Sequence, residues 1–97
     1  MNVVWTAEAE DSFSQNLIYL EQEWNQTVIK NFIDKTMEAI ASIENHPRLY
    51  PFISKKKNIR RCLVVPQVSR FYRITDTHIE LISFWNNFQD PKKLKLK

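Results

Sequence analysis

Only Pro66 and Gln67 separate two strand-like runs, Ile59–Val65 and Val68–Ile74, and that spacing constrains the fold more than any other feature. So short a connection cannot carry a crossover, so the runs must lie side by side as an antiparallel pair. A third run rich in β-branched and aromatic residues spans Ile79–Trp85, after a turn at Asp76. The three together predict an antiparallel meander. Strict alternation puts Ile59, Arg61, Leu63 and Val65 on one face of the first strand and Arg60, Cys62 and Val64 on the other. The apolar set is expected to face the core. By the same rule Val68, Arg70, Tyr72 and Ile74 share a face, and Arg73 falls with Arg60 on the opposite one.

A meander with one greasy face needs a cover, and the first half of the chain supplies it. The strand-like run Val3-Val4-Trp5 leads to Thr6, an N-cap with Glu8 and Glu10 in the first turn, where carboxylates complement the helix dipole. Phe13, Leu17, Leu20 and Trp24 then recur at helical spacing. Asn25 caps a second helix whose inner face carries Ile29, Phe32, Ile33, Met37, Ile40 and Ile43. It must end near His46, because Pro47 disfavours helical backbone at the residue before it. The expected architecture is one α+β domain spanning 1–97, β-α-α-β-β-β, a helical hairpin packed on a small, mainly antiparallel, curved sheet that the N-terminal run joins at an edge. Residues 48–58 read as a loop and 92–97 as a loose basic tail.

Composition narrows the chemistry. The chain has no glycine, so neither a Walker loop nor a dinucleotide fingerprint can be written. The single Cys62 has no disulfide partner and belongs to no zinc-spaced cluster, which suits a reducing cytoplasm. Neither a secretory leader nor a membrane span is expected, because the first residues lack a basic stretch followed by an apolar one and no run of about 20 apolar residues occurs. No metal, cofactor, small-molecule ligand or membrane is therefore expected. Charge is divided unevenly. Residues 1–47 hold two basic and eight acidic side chains, net −6, and residues 48–97 hold twelve basic and three acidic, net +9. Such a division predicts a polyanionic or acidic partner for the second half, mutual neutralisation of the two halves, or both.

Several strings in this order resemble the RelE/ParE toxin superfamily, and its ParE branch in particular. They are Leu20-Glu21-Gln22-Glu23-Trp24 at the end of the first helix, Ile43-Glu44-Asn45-His46-Pro47 at the end of the second, and Ile59-Arg60-Arg61-Cys62 entering the meander. Phe71-Tyr72-Arg73-Ile74, Ile79-Glu80-Leu81-Ile82 and Asp90-Pro91-Lys92-Lys93-Leu94 follow. The resemblance spans almost the whole chain and implies the toxin of a type II toxin–antitoxin pair, with a cognate antitoxin. ParE-like members poison DNA gyrase without cutting anything themselves; RelE-like members cut messenger RNA in the ribosome. A non-toxic relative that keeps only antitoxin binding is a third possibility.

The residues divide between these readings. In RelE-like enzymes the resemblance implies basic residues on the meander plus an Arg and a Tyr or His after its last strand. Arg60, Arg61, Arg70 and Tyr72 would be the nuclease set here. After Trp85, however, the chain reads Asn86-Asn87-Phe88-Gln89-Asp90-Pro91, with Phe88 about where an Arg would stand. That gap favours binding to gyrase over catalysis. Arg60, Arg73, Trp85, Phe88, Lys92 and Lys93 are then the candidate partner-binding residues. His46 and His78 read as a helix-end cap and a solvated strand start, Cys62 as a small core residue, and Trp24 as a core anchor.

Overall fold

The protein, seen here in a computed structural model, is described over residues 1–87. The chain runs β1 (Val3–Trp5), α1 (Ala7–Glu23), α2 (Gln26–Asn45), β2 (Phe52–Ser54), β3 (Ile59–Val65), β4 (Val68–Ile74) and β5 (Ile79–Asn86). The strands form one sheet in the order β1-β5-β4-β3-β2. The meander β3-β4-β5 is antiparallel, as its short turns demand, and β1 joins the free edge of β5 in parallel. Register shifts between Leu63 and Val65 and between Phe71 and Tyr72 bend the sheet so that it wraps the helices.

Both helix starts are built as their residues predict. Thr6 Oγ1 accepts from Ala9 N at 3.0 Å and donates to Leu81 O at 2.8 Å, so one hydroxyl caps α1 and ties it to β5. Asn25 Oδ1 accepts from Val28 N at 3.1 Å to open α2. At the far end the backbone N–H of His46 bonds Ser42 O, and the chain leaves the helix at Pro47. α1 lies along β5 and α2 over β3. Between helices and sheet sits an aromatic cluster: the Phe13 ring is 5.4 Å from Trp5, 5.3 Å from Phe32 and 5.2 Å from Phe84. Leu20, Ile43, Cys62, Val68, Tyr72, Ile79 and Leu81 are buried around it.

Four sequence expectations are corrected. The segment read as a loop contains β2, three residues paired with β3, too short for alternation to register between Pro51 and the lysines. The face assignment of β3 is reversed: Cys62 and Val64 pack under the helices, whereas Arg61 and Leu63 are exposed on the other face. Only Val65, beyond the register shift, returns to the core. The reversal arises because the outer face has an apolar cluster of its own, Ile59, Phe71 and Ile82 with Trp85 against it. On α2, Ile33 and Met37 point outward at 40% and 61% exposure, and Trp24 is exposed at the end of α1. The apolar stripe of α2 is wider than the surface that covers it.

Candidate partner-binding face

The outer face of the meander is laid out in rows. Leu63, Ser69 and Trp85 stand abreast on β3, β4 and β5, with Arg61, Phe71 and Ser83 in the next row. Ser69 is a small side chain between two large ones, so the row dips at its centre. Arg61 reaches into the dip: its Nε donates to Ser69 Oγ at 2.9 Å, and Ser69 Oγ donates to Asn87 Oδ1 at 2.8 Å. Asn87 is held in turn, its Nδ2 donating to Pro66 O at 3.2 Å. The chain Arg61–Ser69–Asn87 fixes the stem of an exposed arginine. Leu63, 55% exposed, and the half-buried Trp85 supply apolar walls beside it. The dip thus offers one oriented cation beside apolar surface, suited to a carboxylate or phosphate attached to an apolar group.

The other arginines are placed differently. Arg60 shares the helix side of β3 with Cys62; its Nη1 donates to Tyr50 O at 2.7 Å and Arg48 O at 3.3 Å, and its guanidinium stacks 3.9 Å over Phe52. It holds the connection from α2 to β2 against the sheet. Arg73 lies on the outer face; Nε and Nη2 donate to Lys57 O, and Nη1 sits 3.5 Å from Glu80 Oε1. Arg70 is fully buried beneath α2, where Nη2 donates to Thr36 O at 3.0 Å and desolvation lowers its pKa to about 10, leaving it a cation at neutral pH. Tyr72 is buried on the same side, its hydroxyl donating to Pro47 O at 2.8 Å, and desolvation pushes its pKa up to about 12.

The quartet Arg60, Arg61, Arg70 and Tyr72 is therefore divided between two faces of the sheet. Only Arg61 meets solvent on the outer side. Of the partner-binding candidates, Arg73 and Trp85 share that face with Arg61, and Arg60 does not. Phe88, Lys92 and Lys93 lie outside the described residues. The sequence placed Arg61 in the nuclease set or in an ion pair with a helix carboxylate, not among the partner-binding residues, and did not point to Ser69 or Asn87. The register pairing Leu63 with Ser69 was the signal that could have found them. Lys55, Lys56 and Lys57 are exposed at the β2–β3 turn and extend the positive surface. His78 sits at the turn into β5, where Nδ1 lies 2.9 Å from Thr77 Oγ1 and Nε2 4.0 Å from Glu80 Oε2.

No protein-family model matches the chain, and no curated protein matches it. Solved structures do. A structure of a chromosomal ParDE toxin–antitoxin system from P. aeruginosa superposes with a TM-score of 0.73 at 11% identity, covering 89% of this chain and 95% of that one. A YoeB dimer from Staphylococcus aureus superposes at TM-score 0.59 and 19% identity, over 86% and 92% of the two chains. A YoeB–YefM complex from the same organism gives 0.58 at 17% identity, over 91% and 98%. At these identities the likeness is one of fold, and the fold is that of the RelE/ParE-like toxins: two helices on a five-stranded mixed sheet. Among the described residues, no helix is long and apolar enough to cross a membrane.

Proposed function

We propose that the chain is the toxin of a type II toxin–antitoxin pair, that it acts in the ParE manner by binding DNA gyrase, and that a cognate antitoxin neutralises it. The fold supports the first part, since whole-length neighbours come from ParDE and YoeB–YefM systems. One observation carries the choice of gyrase over messenger RNA. Cleavage at a ribose 2′-hydroxyl needs cations and a proton-transfer group around one phosphate, and losing such a group costs roughly 100–10,000-fold in rate. Here Tyr72 and Arg70 are buried on the helix side and Arg61 is on the other. The Tyr72 hydroxyl is engaged with Pro47 and held protonated to about pH 12. The outer face is built to hold a partner. Arg61 meets its acidic group, Leu63 and Trp85 meet its apolar part, and the lysine turn attracts it over a distance.

Expressing the chain alone and measuring plasmid supercoiling beside transcript integrity tests this reading. Relaxed or cleaved DNA with intact transcripts is the expected result. Cleaved transcripts with normal supercoiling would replace it with the ribosome-dependent nuclease, and unimpaired growth with neither effect would leave a non-toxic relative that binds only an antitoxin.

A further inference from the structure

Arg70 presents a different problem from the arginines at the surface. It is 0% exposed between β4 and α2, yet among the described residues its guanidinium makes a single hydrogen bond, from Nη2 to Thr36 O. Its carbon stands 5.3 Å from the centre of the Phe84 ring. The buried Nε and Nη1 have no partner among the described residues. The ionisable groups that act on this cation are a thiol and two phenols, those of Cys62, Tyr50 and Tyr72, and none of them is a carboxylate. A buried charge left uncompensated is among the costliest features a small domain can keep.

The polar groups around it are neighbours without a carboxylate among the groups that act on it. Cys62 is the cross-strand partner of Arg70, and its thiol donates to Leu63 O at 3.8 Å. Ser42 Oγ and Tyr50 Oη lie 2.9 Å apart at the same seam, where only one of the two hydroxyls can donate to the other. The Nε and Nη1 edge of Arg70 is thus a pair of unspent donors on a buried cation. Water would accept from the guanidinium but leave its charge unbalanced; an anion does both. Full enclosure under α2 restricts that anion to one of a few atoms.

We infer that the seam between α2 and β4 is a binding site for a small monovalent inorganic anion, a halide, held by Nε and Nη1 of Arg70. The anion neutralises the cation that holds the middle of α2 through Thr36, so the docking of the helix on the sheet depends on it. Folding stability is then coupled to halide concentration through a site that binds only the folded chain.

The test compares thermal unfolding of the full chain in sodium chloride and in sodium gluconate at equal ionic strength. The expected result is a midpoint higher in chloride by about 5 °C, the size of shift that modest ligand occupancy produces in a domain this small. Arg70→Met, which keeps the volume without the charge, should unfold at the same temperature in both salts. In a crystal soaked in bromide, an anomalous peak should lie within hydrogen-bonding distance of Nε and Nη1. Equal midpoints for the natural chain and no bromide peak would overturn the inference in favour of water alone. A chloride response that survives in Arg70→Met would also overturn it, by placing the anion elsewhere. Should Arg70→Met fail to fold, the bromide map decides.

Discussion

At the scale of single residues, position on a strand decides what an arginine can do. Arg60, Arg61, Arg70 and Arg73 lie within fourteen residues of sequence, yet one clamps a loop, one faces solvent, one is buried and one pairs with a carboxylate. Arg61→Ala removes the solvent-facing guanidinium and only one partly buried hydrogen bond, so it should weaken partner binding at least about tenfold while shifting stability by under about 1 kcal/mol. Titration calorimetry against the antitoxin or gyrase, beside urea unfolding, measures both. Tyr72→Phe should cost about 1 kcal/mol for the lost bond to Pro47 and leave toxicity intact. That variant also makes a pH prediction. The phenol titrates at about 12 in the folded chain against 10 when free. The folded state therefore holds the proton more tightly, and this contribution is complete below pH 10 and lost as pH rises through 12. The stability difference between the natural chain and Tyr72→Phe should shrink across that window; a constant difference would contradict the assignment.

Among the elements, the parts that sequence made plain were those where a single physical signal dominates. Turn length specified the meander, caps at Thr6 and Asn25 specified the helix starts, and Pro47 specified the end of α2. The parts that stayed hidden were those where two signals cancel. Ile59 and Leu63 look core-facing on β3, but the outer face has its own buried cluster with Phe71 and Ile82, so alternation gives a period without a sign. The site was hidden for the same reason, because the choice of face for Arg61 follows from the sign of that alternation. Ser69 and Asn87 carry no signal until the strands are paired. The two caps also differ in a measurable way. Asn25 caps α2 at the exposed surface, whereas Thr6 caps α1 and also donates to Leu81 of β5. Asn25→Ala should cost about 0.5–1 kcal/mol and Thr6→Ala about 2 kcal/mol. Urea denaturation giving equal costs would show that the bond from Thr6 to the sheet contributes nothing.

Over the whole molecule, charge and architecture coincide. α1 carries five carboxylates and no cation, all exposed, on the helix side. Arg61 and Lys55–Lys57 are exposed from the sheet half of the chain. The ion pairs Lys35–Glu38 and Arg73–Glu80 each stay within one half of the chain. On the proposed reading, a molecule with two such sides meets an acidic partner with its sheet, and its affinity for that partner should fall as salt rises. The most direct test is a purified supercoiling assay in which gyrase is titrated with the natural chain and with Arg61→Glu, with RNA on translating ribosomes as the parallel substrate. The account predicts that the natural chain stops supercoiling, that Arg61→Glu does so at least tenfold less well, and that the RNA stays whole. RNA cut by the natural chain while gyrase works unimpeded would contradict it.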